Sequence, residues 1–211
     1  MKIFKIIVSI FIVVITLGNI YAYSTDSYSI EVPNTYIMQS TSESANPIIF
    51  SKNTEIKQPN FNVYVNDNTS KSDISVATDE DISTLANEIS NQIYSAYKIN
   101  VNVLKKEKTV LNGYDAIFIS LKWDSEDTLG YTIYQNQYSM MSKNYIYTLT
   151  FSSNKAEDLT SLETQNIKDS FVIKDELNKS NFFDFKQLFI YAIAGAVIGL
   201  IYGVIKKKKE V

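Results

Sequence analysis

The sequence predicts an α+β domain, an antiparallel β-sheet flanked by helices, followed by one C-terminal transmembrane helix. Three observations carry this expectation. Alternating apolar segments meet at short turns, two stretches repeat apolar residues at helical spacing, and an uncharged run, Leu188 to Ile205, ends at four consecutive lysines.

Residues 1–22 open with Lys2 and Lys5, continue through the mainly apolar run Ile6 to Leu17, and reach Ala22, the layout of a signal peptide cut after Ala22. The extracellular domain is expected over residues 23–174. Ser27 to Val32 alternates Tyr28, Ile30 and Val32 on one face and stops at Pro33-Asn34, so it reads as a strand. Ile48 to Ser51 and Asn62 to Val65 give two more strands, the latter following Pro59. Asn66 to Asp73 contains no apolar residue and predicts a solvated loop. Asp67 and Asp73 do not make it a calcium loop, because Ser72 and Thr78 stand where such a loop needs Gly and Glu.

Thr78 to Lys98 predicts a long helix. Ile82, Leu85, Ala86, Ile89, Ile93, Ala96 and Tyr97 form its apolar stripe, Thr78 caps its start, and Asp79, Glu80 and Asp81 suit the positive end of its dipole. Two hairpins follow. Val101 to Leu111 and Tyr114 to Trp123 flank Asn112-Gly113, the residues of a type I′ turn. Lys105, Lys106 and Lys108 assign the first arm to a sheet edge. The second arm reads as an inner strand, with Ile117, Ile119, Leu121 and Trp123 on one face and Ala116 and Phe118 on the other.

For the second hairpin, Tyr131 to Met141 and Tyr145 to Ser152, a two-residue turn at Lys143-Asn144 sets Met140 opposite Tyr147 and Tyr138 opposite Leu149. Large residues then share one face, interrupted by Asn136. Gln135, Gln137, Ser139, Thr148, Thr150 and Ser152 share the other, which is expected to be wet. Asn154 to Phe171 predicts a closing helix capped by Ser153 or Asn154, with Leu159, Leu162, Ile167 and Phe171 inward.

Residues 175–187 read as a polar juxtamembrane connector, with Phe182, Phe183 and Phe185 near the membrane surface. Leu188 to Ile205 would rise about 27 Å as a helix, close to the hydrocarbon thickness of a bilayer. Lys206 to Lys209 in the tail, residues 206–211, place the C-terminus in the cytoplasm and the domain outside, a single-pass protein of the cell membrane. SNFFDFKQ before the span has no LPxTG-type cleavage sequence, so the span is expected to be retained. Gly195, Gly199 and Gly203 form a small-residue stripe, a candidate helix–helix interface for a homo-oligomer or a protein partner.

Composition restricts the chemistry. The chain has no Cys and no His, and all 20 basic residues are Lys. Thiolate nucleophiles, disulfides and the ordinary zinc and copper sites are excluded, and the commonest general base near neutral pH is missing. No cofactor or metal is expected. Residues 23–187 carry 22 acids and 14 lysines, a net charge of −8, which argues against a nucleic-acid partner. Asp124, Glu126 and Asp127, in the loop Asp124 to Gly130, are the candidates for a cation site or for paired acids, against the plainer reading of a solvated loop.

The order YSIEVP, long helix, LNGYDAIFI, YIYTLTF and a closing helix ending in IKDSF resembles the PsbP-like family of exported α/β domains over Ser27 to Lys174. The resemblance implies an α/β/α sandwich and a binding or assembly module more often than an enzyme. It transfers no catalytic residue. The leading expectation is therefore a membrane-anchored extracellular binding or assembly module without catalytic activity. The alternatives are a carboxylate-dependent hydrolase acting on cell-envelope polymers and a structural subunit of a membrane complex.

Overall fold

A computed structural model describes residues 20–39, 46–52, 59–177, 179–184 and 188. The main sheet is antiparallel, with strand order β3-β4-β5-β9-β8-β7-β6. Its members are β3 (Ile37–Met38), β4 (Ile48–Ser51), β5 (Asn60–Asp67), β6 (Asn100–Leu111), β7 (Tyr114–Asp124), β8 (Ile133–Met141) and β9 (Tyr145–Ser153). A smaller sheet has the order β1-β2-β10, from β1 (Ile20–Ser24), β2 (Tyr28–Pro33) and β10 (Val172–Ile173).

Both predicted hairpins form. Asn112 and Gly113 adopt φ of 52° and 86°, the left-handed pair a type I′ turn requires, and Leu111 faces Tyr114 across it. In the second hairpin Met140 pairs with Tyr147 and Tyr138 with Leu149, and the Ser142 amide donates to the Tyr145 carbonyl at 2.9 Å around Lys143-Asn144. Lysine-rich β6 lies at the sheet edge and β7 inside it.

Helix α1 (Asp79–Tyr97) starts at a capping box in which Thr78 and Asp81 bond reciprocally, and it ends where Lys98 turns left-handed at φ 58°. Ile82, Leu85, Ala86, Ile89 and Ile93 are buried, packed with Ile117, Ile119, Leu121 and Trp123 of β7. Ala96, expected in the stripe, is exposed. On the opposite face Tyr28, Ile30 and Val32 of β2 pack with Phe50, Phe61, Met140, Tyr147 and Leu149 of the main sheet. Helix α3 (Leu162–Asp169) adds Ile167, and Phe171 follows it into the same core. The sandwich is thus α1, main sheet, then the small sheet with α3.

Four expectations need correction. The polar face of β8 and β9 is buried, Gln137 being 1% exposed and Thr150 0%. Strand pairing places these residues on the side of Ile117 and Ile119, the side shared with the α1 core, so parity buries them; Gln135 Nε2 bonds Ser152 Oγ at 3.3 Å, while the Thr148 and Thr150 hydroxyls have no partner. Residues 66–73 are not a solvated loop. Strand β5 runs to Asp67, and buried Asn68 donates to the Ser72 and Ser142 carbonyls at 2.8 and 2.9 Å while accepting from the Ser72 amide.

The closing helix is broken in two. Ala156–Thr160 is a 3-10 turn and α3 begins only after Ser161, whose hydroxyl accepts from the Thr164 amide at 3.2 Å, and Leu162 is left 73% exposed. Last, the connector is part of the fold. Asp73 donates its amide to the Phe182 carbonyl at 2.7 Å, Asp184 donates its amide to Ser72 Oγ at 2.6 Å, Phe183 packs against the α1 core, and Leu188 is buried in it.

Among the described residues no helix is long and apolar enough to cross a membrane. The expected span beyond Leu188, its glycine stripe, the lysine tail and residues 1–19 lie outside the described residues. Ile20, Tyr21 and Ala22, assigned from sequence to the signal peptide, stand in β1 opposite Pro33, Val32 and Glu31.

Two predictions follow from this core. Burial pushes the Tyr28 and Tyr36 phenols far above their ordinary range and Tyr147 up to about 12. Unfolded tyrosines lose their protons near pH 10, so above that pH the unfolded chain binds fewer protons than the folded one and stability falls as pH rises. Unfolding free energies measured in denaturant above pH 10 should therefore fall by up to about 1.4 kcal/mol per pH unit for each such tyrosine. The Thr150 hydroxyl is buried without a hydrogen bond. Thr150→Val, which removes only that polar atom, should raise stability by about 1 kcal/mol in urea unfolding.

Candidate functional site

Across the outer face of β6 to β9, strand pairing lays side chains in rows. Thr109, Ala116, Met140 and Tyr147 form one row, next to the small sheet. Glu107, Phe118, Tyr138 and Leu149 form the next, followed by Lys105, Ser120, Asn136 and Phe151. The outer members of these last two rows line a groove of about 440 Å³. Its far wall is the 3-10 turn and α3, through Leu159, Thr160, Thr164, Gln165 and Lys168.

The wall is held by short local bonds. Thr164 Oγ1 donates to the Asp158 carbonyl at 2.7 Å, Gln165 Nε2 donates to the Thr160 carbonyl at 2.9 Å, and Ser153 donates to the Asp158 carboxylate. Its C-terminal end is capped from the first hairpin, where Asn112 Nδ2 donates to the Lys168 and Phe171 carbonyls at 3.0 and 2.9 Å. One turn residue thus sets both the hairpin and the position of the wall.

The floor is aromatic. The Phe118 and Tyr138 rings lie 4.9 Å apart with planes tilted by 35°, and both are half-buried. The Lys105 ammonium sits 5.9 Å from the Phe118 centroid and the Lys168 ammonium 6.0 Å from that of Tyr138. Each lysine also has a carboxylate, Glu107 at 2.7 Å from Lys105 and Asp169 at 3.3 Å from Lys168. Burial, with the Asp169 and Glu107 charges adding to it, pushes the Tyr138 phenol up, so its hydroxyl stays protonated at neutral pH.

Asp124, Glu126 and Asp127 lie elsewhere. Asp124 ends β7, and its carboxylate accepts from Asn102 Nδ2 at 2.7 Å and pairs with Lys122 at 3.2 Å. The Asn102 bond first, then Lys122, hold its carboxyl below the ordinary range. Glu126 and Asp127 stand exposed in the first turn of α2 (Glu126–Leu129), and Ser125 Oγ closes the loop on the Tyr131 carbonyl at 2.6 Å. Among the described residues there is no group of three or more acidic side chains able to hold a metal ion. Gly195, Gly199 and Gly203 lie outside the described residues.

The sequence places Phe118 on the face of β7 opposite Ile117 and Tyr138 on the large-residue face of the second hairpin, but does not bring the two together in a groove. The signal was present in the alternation of β7 and β8, and in Asn136 interrupting an otherwise large-residue face. The wall was hidden because residues 154–171 read as one continuous helix.

No family model matches the chain, and no curated protein matches it in sequence. Among solved structures it is similar to cyanobacterial PsbP (CyanoP) from Synechocystis sp. PCC 6803, with a TM-score of 0.55 at 13% identity over 74% of this chain and 92% of that one. It is also similar to the Ran-binding protein Mog1p of Saccharomyces cerevisiae, with a TM-score of 0.48 at 9% identity over 74% and 96% of the two chains. LpqN of Mycobacterium tuberculosis, involved in cell envelope biogenesis, gives 0.44 at 12% identity over 69% and 82%. The chain has a PsbP-like fold, α+β with antiparallel sheets.

Because the Asp124 carboxylate is already bonded to Asn102 and Lys122, millimolar calcium should leave the melting temperature unchanged. A calcium-dependent rise abolished by Asp124→Asn would instead identify a cation site there.

Proposed function

We propose that this chain is a non-catalytic binding module, anchored at the cell membrane with its domain outside, and that the groove beneath α3 is where its ligand sits. The observation that carries this reading is the half-buried Phe118–Tyr138 pair flooring a groove of about 440 Å³, within the range of about 300–1,000 Å³ common for ligand sites. Apolar floor and polar rim together are what a binding site needs, because ring area gives affinity and the rim gives orientation. Catalysis finds less support. Glu107 is the one carboxylate among the described residues lining the groove, and it is paired with Lys105, whereas glycoside hydrolysis uses two flanking carboxylates. The chain also lacks His and Cys.

The anchoring half of the proposal rests on Leu188 to Ile205 and the four lysines after it. Phe183 packs against the α1 core and Leu188 lies in it, which supports a domain held close to the bilayer with the span starting after Leu188.

Photocrosslinking in cells tests the groove as the ligand site. A photoreactive residue at Val110, exposed at the groove's lip, should give a defined product that disappears when Tyr138→Ala is added, while one at Leu162, exposed and outside the lining, should not give it. Identical products from both positions, unaffected by Tyr138→Ala, would contradict a ligand site in the groove.

A further inference from the structure

Strand β6 closes the main sheet on one side and, among the described residues, pairs with β7 alone. We propose that its free edge takes a short extended peptide with acidic side chains, added as a further antiparallel strand. This goes beyond the groove, because the contacts are main-chain groups along the edge and do not need the groove's floor. A two-residue turn closes on a hydrogen-bonded pair, here Leu111 with Tyr114, so Leu111, Thr109 and Glu107 turn their amides and carbonyls toward β7. Those of Val110, Lys108 and Lys106 point the other way, and among the described residues no main-chain bond meets them. Such a row is a template for another strand. Its length is limited by the bulge at Leu104, where the register shifts between Val103 and Lys105.

The three residues with outward main-chain groups also share one side of the sheet, the α1 side, since Lys108 and Lys106 pair with Ile117 and Ile119. An antiparallel strand bonded there sets alternate residues directly opposite Val110, Lys108 and Lys106. Read in its own direction, that strand needs an apolar residue and then two acids, each separated by one residue. Val110 is 63% exposed, an apolar surface that an edge protected by charge alone does not require.

Charge selects the occupant. Lys105 is matched by Glu107 at 2.7 Å, whereas among the described residues Lys106 and Lys108 have no carboxylate partner. Lys108 reaches the Ser75 and Ala77 carbonyls, which leave its charge uncancelled. The stretch LKKEKTV, residues 104–110, holds three lysines and one glutamate, a net +2 inside a region, residues 23–187, of net −8. With screening over about 8 Å in physiological salt, a short acidic segment feels the nearby lysines more than the distant acids, while a long polyanion meets both. The same lysines disfavour a second copy, because pairing β6 with β6 about Glu107 sets Lys106 opposite Lys108. An anionic lipid surface would use the lysines but not the row of amides.

The test titrates the full chain, in zwitterionic detergent micelles, with the capped peptide TVTETET while NMR follows the backbone amides. Those of Lys106, Lys108 and Val110 should shift saturably. Lys106→Glu should weaken binding about threefold or more, and the lysine peptide TVTKTKT should bind that variant better than it binds the native chain. A melting curve shows whether the variant is folded. N-methylation of both Glu residues of the peptide blocks the amides that face β6 and should abolish binding, whereas N-methylation of the Thr before each Glu, whose amides face away, should change it less than about twofold. No saturable shift, shifts centred on Gln165 and Lys168 of the groove wall, or equal loss from both methylated peptides would overturn strand addition. Shifts of the β6 amides caused by phosphatidylglycerol in the micelles and not by the peptide would overturn it in favour of a lipid surface. Shifts that grow with protein concentration alone would overturn it in favour of a second copy. The Val110 crosslink with its Tyr138→Ala control judges the groove, so either reading can fail without the other.

Discussion

A two-residue turn at Lys143-Asn144 fixes how the two central strands pair, and because side chains alternate with a period of two, that pairing decides what shares each face of the sheet. The turn is held from outside by the connector. Asp175 accepts from the Ser142 hydroxyl at 2.7 Å, the Asn144 amide at 2.8 Å and the Asn144 side chain at 2.9 Å, and Glu176 pairs with Lys143 at 2.8 Å. Burial alone would raise the Asp175 carboxyl, yet these donors hold it below its ordinary range. A slip of one residue would carry Thr148 and Thr150 into the aromatic core and Tyr147 and Leu149 out of it, forfeiting about 1.5–3 kcal/mol for each large side chain displaced.

With the register set, the two faces follow. Tyr147, Leu149 and Phe151 join the small sheet and the chain after α3 through a common core, with ring contacts such as Tyr28–Tyr147 at 6.5 Å and Tyr147–Phe171 at 6.0 Å. That cover reaches the row of Ala116 and Met140. The rows beyond it, Phe118–Tyr138 and Ser120–Asn136, line the groove instead. The groove therefore lies where the small sheet's cover gives way, with α3 as its wall and Asn112 locking that wall to the first hairpin.

Local rules made much of this legible. Asn112-Gly113, the Thr78 cap, the lysine-rich edge and the parity argument at Lys143-Asn144 each depend on residues close in sequence, and each is found in place. What local rules missed depends on distant chain. Asn68 and Ser72 are buried because the β8–β9 turn and the connector close over them, and no periodicity encodes that. Gln135, Gln137, Thr148 and Thr150 look solvent-facing by alternation, but parity puts them on the face α1 shares. For the groove, the floor could be read from strand alternation while the wall could not, because the break at Ser161 comes from capping geometry inside an apparently continuous helical pattern.

The register of β8 against β9 carries the account, since the buried polar band, the aromatic core and the groove floor all derive from it. Solution NMR measures it directly through cross-strand contacts between backbone protons. Contacts joining Met140 to Tyr147, Tyr138 to Leu149 and Asn136 to Phe151 are the predicted result. Contacts joining Met140 to Ile146 or to Thr148 would contradict it, because either shift reverses both faces of the sheet.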